Sequence, residues 1–327
     1  MNDLYRLVLL QFAKSNRSHL RCYLNTPLQT RSSSFARREN TTGYLFILPG
    51  IIGFSVFVLY PLISSIYYAM TEWNGATAPK FIGLENFKYI FLQDPSFLIS
   101  LKATLIWVFL SVPSGVAAGI LLALLVNRSL PGIKLFRTIL YLPTMLPIVA
   151  TLTLWKYIFN PAFGLANQLL NTLGLPSSFW LGDVNLVFPS LIVINLWAAG
   201  GAMVIFLAAL QAVPTELYEA AKLDGASDTR LFWHITIPMI SPVLLLQTIT
   251  GTIAALQSLA QPQLITSGGP DLSTNFLMWK IFTTAFNNNQ FGQAIALVWV
   301  LFVLILIVTV LTFRLSSVWV YAEEGTE

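Results

Sequence analysis

Six long stretches of the chain carry no Asp, Glu, Lys or Arg: 40–71, 103–127, 138–155, 184–215, 231–270 and 281–313. A helix that crosses the hydrocarbon of a bilayer needs about 20 consecutive, mostly apolar residues. Each stretch supplies one such run, and the pattern predicts spans over roughly 44–70, 103–126, 138–158, 186–211, 241–262 and 294–316. Apart from Lys156, at the margin of the third, and Arg314, at the margin of the sixth, these cores are free of charge. The segment 157–182 is also uncharged, but Asn160, Pro161, Gly164, Asn167, Gln168, Asn171, Gly174 and Pro176 interrupt it. It is predicted to be a loop with a short re-entrant or surface helix. The expected class is therefore all-α: a polytopic membrane protein of six transmembrane helices.

Composition supports the pattern. Of the 327 residues, 56% are hydrophobic and 10% charged, against about 25% charged in a typical soluble domain. The net charge of +4 could point to nucleic acid, but the placement of the basic residues fits topology better. With the N-terminus in the cytoplasm, segments 1–43, 127–137, 212–240 and the C-terminal end from Arg314 hold 7, 3, 2 and 1 Lys plus Arg, which is 13 of the 18. The other five are Lys80, Lys88, Lys102, Lys156 and Lys280. The excess of basic residues in cytoplasmic loops sets orientation, so both termini are expected in the cytoplasm of a bacterial-type cell, with 321–327 as a cytoplasmic tail. Residues 1–43 are rich in Arg and Ser and poor in acids. They read either as a basic cytoplasmic arm or as a transit peptide, and they lack the apolar run of a secretory signal.

Some chemistry is disfavoured. One cysteine, Cys22, cannot form an internal disulfide, and His19 and His234 belong to no metal-ligand motif. Neither a metal nor another cofactor is expected in this chain. Ion-coupled carriers generally need charged relays inside their spans, and these are missing. No phosphate-binding loop of the form G-x-x-x-x-G-K-[ST] occurs. If ATP drives this protein, it is bound by another chain.

The stretch from Glu216 to Pro238 is too polar to span and too ordered in its signals to be a linker. Thr215 is placed to cap a helix, with Glu216 and Glu219 near its positive end. Ala220 and Ala221 are small enough for close approach by another surface. Gly225 suits a left-handed turn. Ser227 or Asp228 can cap a second helix running through Phe232 and Trp233 until Pro238. These residues alone predict helix, turn, helix, which serves equally an amphipathic hairpin at the membrane interface or a docking element.

The order Glu219-Ala220-Ala221, then Gly225, then Ile235, Ile237 and Pro238 resembles the EAA motif of ABC importer permeases, with Ile237 where leucine is usual. Phe81 to Phe87 with Asp94, Pro95 and Phe97 is similar to the first external loop of the sugar-type permeases. Thr266 to Pro270 with Ser273 and Thr274, and Asn195 with Trp197, are similar to other segments of theirs. The likeness covers roughly 44–320 and leaves out the basic arm.

The resemblance implies a type I ABC importer permease fold that carries a sugar or related polyol. The implied partners are a second permease, two ATP-binding subunits that hold ATP and Mg, an extracytoplasmic solute-binding protein and membrane lipid, with no nucleic acid. It makes this chain a transport subunit and not an enzyme. Within loop 214–240, Glu219, Ala220, Ala221, Leu223, Asp224, Gly225 and Pro238 would form the coupling surface. Asn195, Trp197, Gly200, Gln257, Ser258 and Gln261 are candidates for the substrate path, although such residues also make ordinary hydrogen bonds and packing contacts between helices. Other cargoes (glycerol phosphate, phosphate, an amino acid or a metal) keep the same architecture. A secondary carrier, a channel or a membrane enzyme would not require the EAA spacing.

Overall fold

The structure is a computed structural model that describes residues 33–128, 130–316 and Val320. It falls into two units, one ending at Ile63 and one starting at Ser64. Of the basic arm, residues 1–32 lie outside the described residues, as do Cys22, His19 and the tail 321–327.

The described part of the first unit is helical: α1 is Ser33–Phe54, followed by a π-turn at Ser55–Leu59. Helix α2, Tyr60–Ala69, continues it, so that Thr42–Ala69 is one 28-residue apolar stretch. The second unit continues with a two-residue hairpin, β1 (Thr71–Glu72) and β2 (Lys80–Phe81), paired antiparallel. A short helix α3 (Glu85–Lys88) leads to α4 (Pro95–Val126), 32 residues long. At about 1.5 Å per residue α4 measures ~48 Å, well beyond the ~30 Å of a hydrocarbon core.

Then come α5 (Ile133–Tyr141), α6 (Ile148–Ile158), α7 (Leu165–Thr172), α8 (Val187–Trp197) and α9 (Gly200–Ala212). The chain goes on through α10 (Thr215–Leu223), α11 (Asp228–Leu231), α12 (Ile237–Leu256), α13 (Leu277–Phe282) and α14 (Phe291–Ser316). Among the described residues, four helices are long and apolar enough to cross a membrane, and two bent pairs raise the number to six if each pair is one span.

The bent pairs are a departure from the expected uninterrupted third and fourth spans. Residues 133–145 and 148–158 meet at 97°, and 187–197 and 200–212 at 52°. The first break carries Pro143 and Pro147. Proline lacks the N–H that a helix needs, and it pushes the residue before it out of helical geometry. The second break is fixed by contact. Gly200 sits so close to Leu140 and Tyr141 that a Cβ would run into the Leu140 carbonyl oxygen. The loop helix anticipated within 157–182 is α7.

The fifth span also differs from expectation. The helix from Asp228 does not stop at Pro238 but runs on to Leu256 as one 29-residue stretch. A π-turn at Phe232–Thr236 precedes the proline. That wider turn gives the ring room that an α-helical turn would deny it. The span ends at Leu256, and Gln257 to Leu259 interrupt it before a π-turn at Pro262–Thr266. Thr215 is the first residue of α10 and not its cap; Pro214 holds the cap position.

Helix α4 organises the packing. Its N-terminus is capped by Asp94, whose Oδ1 accepts from the Ser96 amide at 3.0 Å and hydroxyl at 2.7 Å. Asp94 also pairs with Lys280 at 2.6 Å, both nearly buried, so the ion pair ties α4 to α13. Burial pushes the Asp94 carboxyl up, but hydrogen bonds from Lys280 and Ser96 and the Lys280 charge outweigh it and hold the group below its ordinary 3.8. Two more links join the same elements: Asn275 donates to Ser100 Oγ at 3.0 Å, and the Leu277 amide to Thr104 Oγ1 at 2.7 Å. At the other end, Arg137 donates to the Val126 carbonyl at 2.8 and 3.2 Å, where the helix leaves acceptors unpaired.

Candidate functional site

Two places can carry function. One is a cavity of about 280 Å³ beside the middle of α4. Trp107, Ser111 and Gly115 recur every four residues along one face of α4 and form one wall. Asn195 comes from the end of α8, Ala198 and Ala199 from the break, and Ala202 from the start of α9. Gln247, Gly251, Ala254 and Ala255 line it from α12, and Ser258 and Gln261 from the interruption after it. The cavity thus lies against two breaks in helical structure. Non-helical backbone at membrane depth is tolerated only where it is buried in protein or lines a polar space.

The polar groups here are partly committed. Asn195 Nδ2 donates to the Ser111 carbonyl at 3.2 Å, and Ser258 Oγ donates to Gln261 Oε1 at 2.5 Å. Thr250 Oγ1 donates to the Leu246 carbonyl at 2.8 Å and lies 3.4 Å from Gln247 Oε1, so Gln247 is less committed. Ser111 Oγ is buried and has no partner. Small residues leave the space: Gly115 approaches Asn195 closely, and beyond the alanines Gly119 abuts Ala202.

Of the six path candidates, Asn195, Ser258 and Gln261 meet in this cavity. Trp197 lies outside it, its ring edge-on to Trp155 at 5.8 Å in a chain of aromatics with Phe159 and Trp180. Gly200 is at the close approach to Leu140. Gln257 is exposed, just past the end of α12. Sequence reasoning missed Gln247, Ser111 and Trp107. A polar residue within an apolar run was the available signal for Gln247, whereas Ser111 and Trp107 are placed only by the tertiary packing.

The second place is the hairpin α10–α11. Helix α10 ends in a Schellman turn: Ala226 donates to the Ala221 carbonyl at 2.9 Å and Gly225 to that of Lys222 at 3.0 Å. Gly225 has φ +79°, the left-handed region where glycine pays no Cβ penalty. Ser227 holds the cap position of α11. Tyr218 and Thr236 share a hydrogen bond of 3.0 Å between their hydroxyls, which fastens α10 to the helix that becomes the fifth span. Glu219, Ala220, Asp224 and Gly225 are exposed, Leu223 is 90% exposed, and Ala221 is half-buried. Pro238 is half-buried in the span and apart from this tip.

Residues 115–319 match the family described as binding-protein-dependent transport system inner membrane component. The chain belongs to this family. The match covers both the cavity's α8, α9 and α12 walls and the hairpin. The permease is 34% identical, over 91% of its length and 97% of the relative's, to the probable ABC transporter permease protein YesP of Bacillus subtilis. It is 31% identical to the multiple sugar-binding transport system permease protein MsmF of Streptococcus mutans, over 84% and 95% of the two chains. The trehalose/maltose transport system permease protein MalF of Thermococcus litoralis is also 31% identical, over 87% and 97%. Among solved structures, a chain of a bacterial alginate ABC transporter, in complex with a periplasmic protein bound to alginate pentasaccharide, superposes with a TM-score of 0.75. The likeness covers 88% of this chain and 97% of that one, at 26% identity. The fold is therefore that of an ABC importer permease: a helical, multi-pass protein of the inner membrane.

Proposed function

We propose that this permease carries a sugar or related polyol, delivered by an external solute-binding protein, through a path that includes the cavity on α4. The observation that carries the reading is the cavity's position at two helix breaks, lined by neutral hydrogen-bonding groups; the names of the sugar-transporting relatives support it. The path is completed by a second permease. Two ATP-binding subunits, which hold ATP and Mg, dock on the exposed tip of the α10–α11 hairpin through Glu219, Ala220, Ala221, Leu223, Asp224 and Gly225. Pro238 serves that surface indirectly, from the continuous helix that joins the hairpin to the fifth span. Closure of the ATP-binding pair moves the hairpins and switches the spans between two states. Cargo acts only through its different affinity for those states.

The hairpin and both termini lie in the cytoplasm, on the strength of the 13-to-5 basic asymmetry. Cysteine in a Cys22→Ser background tests this: at Ser227 it should resist an impermeant thiol reagent in intact cells, and at Asp271 it should react. Asp271 suits the outer probe because it is exposed, whereas the hydroxyl of the neighbouring Ser273 is buried. Reversed labelling would overturn the orientation. The cargo reading is tested by identifying the molecule released from the cognate binding protein. A non-carbohydrate would refute it.

A further inference from the structure

We propose that a cleft between the first and last spans holds one acyl chain of a bilayer phospholipid as a resident ligand, with the phosphate of its headgroup at Lys88. The inference rests on the membrane placement of the permease and is independent of its cargo.

The cleft has a volume of about 520 Å³, and its whole wall belongs to the second unit. Ile66 and Met70 come from the end of the first span and the turn after it. Phe87 comes from α3, Phe91 from the π-turn that follows it (Tyr89–Gln93), and Trp299 and Val303 from α14. Every lining side chain is apolar except for the indole nitrogen of Trp299, and that nitrogen donates to Ser65 Oγ at 3.2 Å. A buried water needs two to four polar partners, and this wall offers none. A hydrocarbon chain needs none.

The depth of the cleft matches one leaflet. Trp299 and Val303 lie 8 and 12 residues past the first residue of α14, or about 12 and 18 Å along its axis. The helix measures about 39 Å against ~30 Å of hydrocarbon. With the overhang shared between its two ends, both residues fall within the leaflet nearer Phe291, whose hydrocarbon is about 15 Å deep.

The segment that supplies Phe87 and Phe91 has the character of a headgroup-level element. Phe81, Leu84, Tyr89 and Leu92 are exposed on it, and Lys80 and Lys88 accompany them. Aromatic rings and lysines with apolar stems concentrate at that level. Lys88 follows Phe87 of the wall directly, and its ammonium is bonded to Glu85 at 2.9 Å with both side chains exposed. An exposed pair of this kind is weak, so a phosphate can take the cation. An apolar cleft one leaflet deep beside a cation has the chemistry of a phospholipid: hydrocarbon below, phosphate above. A helix of the second permease would also find the cleft apolar, but it would have no use for Lys88.

The test uses the whole importer, extracted into detergent and freed of loosely held lipid by repeated exchange. Native mass spectrometry of assembled complexes should find one phospholipid retained on this permease. Lys88→Glu, at an exposed position, should lower the retained fraction several-fold, because the phosphate then meets two carboxylates. Val303→Trp, which fills the cleft from an exposed position, should abolish retention. No lipid on the wild type, or equal retention in the wild type and both variants, would overturn the proposal. A benzophenone attached at Val303→Cys in a Cys22→Ser background should, on illumination in membranes, give a permease heavier by one phospholipid. A cross-link to the second permease instead would place protein in the cleft and overturn it. Neither readout involves cargo, so a non-carbohydrate on the binding protein would leave this inference standing. Reversed orientation would move the cleft to the other leaflet without emptying it.

Discussion

The α10–α11 hairpin and the cavity on α4 are built by opposite means. The hairpin is made from neighbours in sequence: a Schellman turn closes over six residues, Gly225 supplies the left-handed step, and Ser227 precedes the next helix. Its tip is exposed, Leu223 almost wholly so. The cavity is made from partners distant in sequence. Asn195 reaches Ser111, 84 residues away, and the span that carries Asn195 breaks where Gly200 meets Leu140. A surface proposed to meet another subunit can be specified locally and left exposed. A polar space inside a membrane needs several helices to be interrupted or thinned at matching depth.

This contrast separates the glycines first. Gly200→Ala should have the largest effect, because the added Cβ meets the backbone of Leu140 and not a movable side chain. Overpacking of this kind costs about 1–3 kcal/mol or more, and the loss should appear as a poor yield of folded permease after extraction. At Gly225 a Cβ meets nothing within 4 Å. Only the φ of +79° resists substitution, by about 1–2 kcal/mol. Gly225→Val should therefore fold in the membrane at near-normal yield yet lose ATP-binding subunits on purification. Gly225→Asn, which tolerates the left-handed region, should keep more of them. If both glycine positions behaved alike in yield, the local-versus-distant distinction would fail.

The same distinction explains what was legible in advance. The hairpin's turn and its Gly225 conformation followed from local rules, because capping and left-handed turns depend on a few adjacent residues. The six apolar runs also stood out, since lipid imposes a length and a ban on charge. The breaks in the third and fourth spans did not, because Gly200 and Pro143 in an apolar run do not reveal which helix will press on them. Nor did the continuity of the fifth span through Pro238, since a π-turn at Phe232–Thr236 leaves no mark in the pattern of apolar residues. The cavity was half legible for a related reason. Asn195, Ser258 and Gln261 are conspicuous polar residues, but Ser111 and Trp107 acquire their role only when α4 is placed beside the breaks.

An effect of comparable size belongs to the Asp94–Lys280 pair, which fixes the end of α4 far from the hairpin. Replacing Asp94 with Asn should destabilise the permease at neutral pH by on the order of 3 kcal/mol, since Lys280 is left nearly buried without its counter-charge. The folded pKa of Asp94 is depressed, so its contribution is fully present above the unfolded value of about 3.9 and is lost as pH falls through the depressed folded value. Melting curves of wild type and Asp94→Asn should thus differ at pH 7 and converge only below the ordinary carboxylate range. A constant difference across that range would mean that the charge plays no part.

The most direct measurement is the amount of ATP-binding subunit that co-purifies with each variant, taken together with cargo uptake by the same preparation. Ala220→Trp places a bulky ring on the exposed face of α10, and should yield inserted permease with little or no ATP-binding subunit and no uptake. Asn195→Leu should yield a complex with its full complement of ATP-binding subunits and impaired uptake. An Ala220→Trp permease that retains its ATP-binding subunits and transports at the normal rate would contradict the assignment of coupling to the hairpin.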